Sequence, residues 1–259
     1  KNWEGAWIGD RQDINYEPAP YFRKKFTTGK KIKSARAYIA VGGLYELYIN
    51  GEKIGNHRLD PLYTRFDRRN LYVTYDVTGQ LRNGDNAIGV LLGNGWYNHQ
   101  SKAVWDFDRA PWRNRPAFCL DLRITYNDGS IETIPTDLSW KTSSGALIFN
   151  SIYTGEHYDA RLEQKGWNTP DFDDSKWRGV GLRGVPSQNV VAQQVRPIRN
   201  VLTIPAKSVN KINDKTYVFD FGQNMAGVTN IKVSGEEGTE VRIMHGERLF
   251  DNGRIDMSN

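Results

Sequence analysis

Short runs of alternating apolar and polar residues dominate the chain, and helical periodicity is nearly absent. In FCLDLRITY (118–126), Phe118, Leu120, Leu122, Ile124 and Tyr126 fall on one face, while Cys119, Asp121, Arg123 and Thr125 fall on the other. A period of two is that of a half-buried strand. Asn127-Asp128-Gly129 follows, a turn able to supply positive φ, and SIETIPT begins the return strand. YELYINGEKIG (45–55) repeats the device, with Tyr45, Leu47 and Ile49 alternating before an Asn50-Gly51 turn. Further strands are predicted at 36–41, 71–77, 86–92, 217–221, 228–233 and 240–245. Turn signals separate them at Arg82-Asn83-Gly84-Asp85, Gly235-Glu236-Glu237-Gly238 and Asp251-Asn252-Gly253. Many short strands punctuated by Gly and Asn predict an all-β fold, a β-sandwich or jelly roll.

Three stretches break this rhythm. Residues 93–116, GNGWYNHQSKAVWDFDRAPWRNRP, are long and irregular and hold Trp96, Tyr97, Trp105, Phe107 and Trp112. Loops of that length inside a domain tend to carry function or to pack on a neighbour. Residues 163–180 are rich in Asp, Gly and Trp, and residues 181–200 are polar and bracketed by prolines, the composition of a crossing between domains.

Composition narrows the function classes. The 259 residues are 38% hydrophobic and 25% charged, as in a soluble globular protein long enough for one large domain or two modest ones. Eight Trp and thirteen Tyr are a heavy aromatic load, suited both to wide sandwich cores and to sugar-facing surfaces. The net charge of +5 is mild, and the densest basic run, around Lys30-Lys31, reads as a solvated loop rather than a nucleic-acid surface. The one cysteine, Cys119, excludes an intrachain disulfide. No run approaches the ~18 apolar residues of a membrane helix. The start at Lys1-Asn2-Trp3 shows no signal-peptide pattern and leaves the compartment open.

Common catalytic signatures are missing: there is no nucleophile elbow, phosphate-cradling glycine loop or metalloprotease helix motif. His57, His99, His157 and His245 are scattered singly, without zinc spacing. Asp171, Asp173 and Asp174 have the oxygen chemistry of calcium ligands, but Asp at such a corner more often caps turns, and the expectation is no metal and no cofactor. Glycoside hydrolysis needs a carboxylate pair, and Glu156 and Asp159 in TGEHYDAR are candidates by type alone. Hydrogen-bonding or interdomain roles, with Arg161 beside them, are favoured for these residues.

Taken in series, LYELYINGEKIG, YVTYDVTGQL (72–81), NAIGVLLGNGWY (86–97), SIYTGEHYDARLE (151–163) and FDDSKW (172–177) resemble the N-terminal β-sandwich of bacterial α-L-rhamnosidases, glycoside hydrolase family 78. FDDS-x-W also occurs in galactose-binding-like domains of other glycosidases. YVFDFGQNMAG (217–227) and GTEVRIMHGERL (238–249) resemble the opening of the next module, a concanavalin-like sandwich. The resemblance implies two domains: a galactose-binding-like jelly roll over 1–196, and the beginning of a second sandwich over 197–259, cut short at Asn259. In that family the acid and base carboxylates sit on an α-helical barrel downstream, so the resemblance assigns no catalytic residue here. It implies the accessory portion of an enzyme that hydrolyses terminal α-L-rhamnose, inactive alone.

The implied partners are rhamnose-containing glycans and the downstream catalytic domain of the same parent, with no nucleic acid and no membrane. The implied location is periplasmic or extracellular. Trp96, Tyr97, Trp105 and Trp112, with Arg109 and Arg113 as polar partners, are expected to form either a sugar-binding surface or an interdomain surface. Packing against another domain is preferred, because aromatics with Arg also mark protein interfaces. Glu156, Asp159 and Arg161 are assigned to a pocket rim or interdomain contact. Two rival functions remain: a stand-alone, lectin-like carbohydrate-binding module, and an adhesion domain without sugar affinity.

Overall fold

Because strand side chains alternate between faces, two sheets can hide their apolar rows only by stacking them. The computed structural model describes residues 1–102 and 105–258, and it shows this solution. Ala103 and Val104, within the aromatic stretch 93–116, lie outside the described residues, as does the expected cut at Asn259. The chain divides into two units, Lys1–Arg199 and Asn200–Asn259.

In the first unit one sheet centres on Ile32–Gly42, which pairs antiparallel with Ala117–Tyr126 on one side and Asn70–Asp76 on the other. Ile131–Pro135 is the return strand expected after Asn127-Asp128-Gly129. The second sheet runs Lys141–Ser144, Pro20–Thr28, Gly84–Gly93, Leu44–Ile49. Phe22, Ile39, Leu47, Ile88, Val90, Phe118, Leu120, Leu122 and Trp140 fill the space between. Asn50 at φ 52° and Gly51 at φ 89° close the predicted hairpin, whose return is Glu52–Lys53.

The Ala117–Tyr126 strand departs from the half-buried expectation. Cys119 and Asp121 are as buried as Leu120, because the N-terminal arm covers that face. Asp121 accepts from Lys1 Nζ (2.7 Å) and from the backbone N–H of Gly5 (2.7 Å), and Cys119 Sγ donates to the Gly5 carbonyl.

Residues 181–199, at the end of the first unit, are held to it by three strand pairings. Gly181–Leu182 pairs with Ile8–Gly9, Val190–Ala192 pairs in parallel with Asn70–Asp76, and Ile198–Arg199 pairs with His57–Arg58. Gln193 completes the attachment through Asp60 Oδ1 and the Leu62 N–H.

In the second unit, Ser208–Asn213 and Thr216–Asp220 form a hairpin, and Arg248–Leu249 pairs with Ile255–Asp256. The strands predicted at 228–233 and 240–245 are not formed. Their apolar residues Val228, Ile231, Val233, Val241 and Ile243 stay exposed, so no burial offsets the entropy of ordering an extended strand. Among the described residues, no helix is long and apolar enough to cross a membrane.

Candidate functional site

The stretch 93–116 leaves the second sheet at Gly93 and returns to the first at Ala117, so it lies across one end of the sandwich. Buried Arg115 anchors its end. The guanidinium is paired with Asp10 (Nη2–Oδ2 2.7 Å) and donates to the carbonyls of Tyr16 and Pro18. Arg113 works the same way two residues earlier, donating to Asn98 Oδ1 (3.0 Å) and Asn15 Oδ1 (2.8 Å). Arg113, expected as a polar partner on a sugar-binding or interdomain surface, uses these donors to tie the segment to itself and to the N-terminal stretch.

This frame gathers an aromatic cluster. Trp96 lies 5.1 Å from Phe107 and 6.1 Å from Trp105, and stacks on His99 at 5.6 Å. Trp112 contacts Phe107 at 5.7 Å, and its Nε1 donates to the Trp96 carbonyl. Trp96, Trp105 and Trp112 are therefore brought together, and Trp105, 75% exposed, is the outermost. Trp105 and Asp106 take left-handed backbone, φ 56° and 52°, a conformation rare for bulky residues and concentrated at binding sites. Arg109 is exposed on the short helical turn Phe107–Arg109. Tyr97 is 3% exposed, packed under Gly42 and against Phe66, and does not reach the surface.

Two members of the cluster escape the sequence reading. Tyr63, half exposed, contacts Phe66, Trp96, Phe107 and Trp112 from another irregular segment. The signal for it was the apolar trio Leu62, Tyr63 and Phe66 in a stretch with no strand pattern. His99 is buried, with Nδ1 unpartnered among the described residues and Nε2 facing Ser101 Oγ at 3.1 Å. Burial depresses its pKa, so the ring is held neutral.

Glu156, Asp159 and Arg161 sit apart from this cluster by chain position, on and just after the hairpin Leu147–Ser151/Gly155–Tyr158. Burial, then the Glu46 carboxylate, pushes Glu156 up. Asp159 caps the turn Ala160–Leu162 and accepts from Arg161 Nε (2.8 Å) and Nη2 (2.7 Å), which holds it low. Glu156 thus faces another carboxylate and Asp159 an arginine. Of the possible calcium ligands, Asp174 is paired with Arg23 and Lys141, and Asp173 accepts from the Ser175 N–H. Among the described residues, no group of three or more His, Cys, Asp or Glu is assembled to hold a metal.

Known proteins match this chain along most of its length. The profile of the alpha-L-rhamnosidase N-terminal domain matches residues 30–202, and that of the bacterial alpha-L-rhamnosidase concanavalin-like domain matches residues 210–259. An alpha-L-rhamnosidase of Formosa agariphila is 39% identical over 239 residues, 91% of this chain and 25% of that protein. The structure of an alpha-L-rhamnosidase from Dictyoglumus thermophilum is similar with a TM-score of 0.79 and 43% identity, over 86% of this chain and 26% of its own. A Streptomyces avermitilis alpha-L-rhamnosidase complexed with L-rhamnose is similar with a TM-score of 0.76 and 35% identity, over 81% and 20%. The chain spans about a quarter of the length of the curated relatives it matches.

Proposed function

Since this chain belongs to the alpha-L-rhamnosidase N-terminal domain family, we propose that it serves as the non-catalytic front portion of an enzyme that hydrolyses terminal α-L-rhamnose from glycosides. The observation that carries this reading is the order of the two family profiles, N-terminal domain then concanavalin-like domain, over a quarter of the relatives' length. The surroundings of Glu156 and Asp159 support it. A hydrolytic pair needs one carboxyl kept protonated and a second charged across a shared sugar pocket. Asp159 stays charged, but both of its carboxylate oxygens already accept from Arg161 two residues on.

The aromatic surface of Trp105, Tyr63 and Arg109 fits docking against the remainder of the parent protein. A cross-braced loop presents rigid aromatics there, the composition of an interface core. Residues 197–259 are the beginning of the concanavalin-like module in this reading, the partners are rhamnose-containing glycans, and the location is periplasmic or extracellular. The test is hydrolysis of 4-nitrophenyl α-L-rhamnopyranoside by the purified chain. No nitrophenol above background is expected. Release that Glu156→Gln or Asp159→Asn abolishes would overturn the reading.

A further inference from the structure

A second concavity lies away from the aromatic loop, and its construction follows from strand register. On the outer face of the second sheet, Arg23 stands opposite Gly89, and Gly89 opposite Tyr48. One row along, Tyr21 and Glu46 flank Leu91. The glycine leaves a vacancy between an arginine and a tyrosine, and Trp167 fills it. A Cβ on Gly89 would stand 2.7 Å from Trp167 Cζ3.

The indole is held on several sides. Tyr21 and Tyr48 meet it edge-on at 4.9 and 5.4 Å, Trp177 stacks behind it at 6.3 Å, and Arg23 Nε donates to its carbonyl at 2.8 Å. This seat gives Trp167 one position, so little rotamer entropy remains to be lost when something stacks on it.

Opposite this platform the hairpin strand Gly155–Tyr158 raises Tyr158, exposed, with its hydroxyl donating to Glu163 Oε1 at 2.6 Å. Gln164 is fixed at both ends, accepting from Trp177 Nε1 and donating to the Ser144 carbonyl. Tyr21, Tyr158, Glu163, Gln164, Lys165 and Trp167 line a cavity of about 240 Å³. That is below the roughly 300–1,000 Å³ of drug-sized pockets and admits one small ring.

Glu163 accepts from the Tyr158 hydroxyl through Oε1, and Lys165 and Trp167 line the same cavity. A carboxylate, an ammonium and an indole N–H thus belong to the residues that line this aromatic cavity. Burial, with Glu163 and Glu46 adding to it, pushes the Tyr21 hydroxyl up, and burial with Glu46 pushes Glu156 up, so these carboxylates oppose an anion against the single ammonium of Lys165.

We propose that this cleft binds a single neutral pyranose unit, whose C–H face lies on aromatic rings while its hydroxyls take up Glu163 Oε2, Lys165 Nζ and Trp167 Nε1. The ligand class comes from the chemistry of the cleft and holds whether or not the chain belongs to a hydrolase. A single sugar ring binds weakly, with a Kd on the order of 1 mM.

The test is calorimetric titration of the whole chain with methyl α-L-rhamnopyranoside, methyl β-D-glucopyranoside and sodium glucuronate. At least one neutral glycoside binds, glucuronate does not, and Trp167→Ala weakens binding by about tenfold or more. Tyr158→Ala guards against misfolding of the tryptophan variant. Its side chain is exposed, so the melting temperature holds while binding falls severalfold. Trp105→Ala leaves binding unchanged. The proposal is overturned if no neutral glycoside gives heat, if glucuronate binds as well as they do, or if both Trp167→Ala and Tyr158→Ala bind like the parent chain.

Discussion

The strand Ala117–Tyr126 and the stretch 238–249 carry the same alternation, FCLDLRITY in one and GTEVRIMH in the other, yet only the first is a strand. Leu120, Leu122 and Ile124 are sealed between two sheets, with ladders to Ile32–Gly42 and Ile131–Pro135. Val241 and Ile243 are about half exposed, and in the whole of 200–258 Val218 alone is buried. Alternation specifies which side chains share a face. It does not supply the opposing apolar face or the neighbouring backbone that make burying that face favourable. Hairpins such as Ser208–Asn213/Thr216–Asp220 survive where turn chemistry closes them locally.

The sharpest way to break this contrast is to remove an ion pair from each region. Arg115→Ala leaves buried Asp10 to the Arg183 guanidinium 3.9 Å away, while the Pro18 carbonyl loses its donor and the Tyr16 carbonyl is left with Gln100 Nε2 at 3.4 Å. The expected loss is about 3–5 kcal/mol, read from urea denaturation. Cys119 offers an independent readout. Burial pushes its thiol up to about 12, so it resists alkylation until the sandwich opens, and the variant should be labelled at lower urea. Lys211→Ala removes a partner of Asp214 that is almost wholly exposed, and should move neither curve. Equal effects from the two substitutions would erase the distinction between the regions.

A second pair tests burial without charge. Leu120→Ala in the first unit should cost about 2–5 kcal/mol through lost transfer energy and the cavity left behind. Ile243→Ala, in the stretch that does not form its predicted strand, should stay within about 0.5 kcal/mol. A large loss at Ile243 would mean that the second region has a core of its own.

Much of the sandwich was legible because its strands are local statements. Tyr45, Leu47 and Ile49 alternate, Asn50-Gly51 turns, and both facts concern adjacent residues. The aromatic cluster was half legible. Trp96, Trp105 and Trp112 share one loop, but Tyr63 arrives from a segment more than thirty residues earlier, and only the fold joins them. Tyr97 looked equivalent to its neighbour Trp96 in sequence, and was separated from it by the side of the backbone it occupies. The cleft over Gly89 was invisible. A glycine in a strand signals close approach, but not that Trp167, far along the chain, is what approaches. Register converts that glycine into a seat, and register is set by pairings that no single stretch contains.

The smallest difference between the regions is their response to acid. Burial raises Asp137, but the hydrogen bonds from Ser139 and the nearby Lys24 ammonium (3.4 Å) outweigh it and hold the carboxyl below its ordinary 3.8. A depressed folded-state pKa contributes stability that is complete above the unfolded value and is lost as pH falls through the folded value. The window therefore lies below 3.8, and solvent screening keeps the contribution under about 1 kcal/mol. Asp256 in the second unit is also held low, by the hydroxyl and N–H of Ser258 two residues on. That contact lies within one turn and is tied to no core. Asp137→Asn should therefore raise the relative stability of the first unit at about pH 3 compared with pH 7, flattening the acid limb of its melting curve. Asp256→Asn should leave that limb where it is. Identical acid limbs for the parent chain and Asp137→Asn would show that Lys24 and Ser139 hold this carboxylate without coupling it to the sandwich.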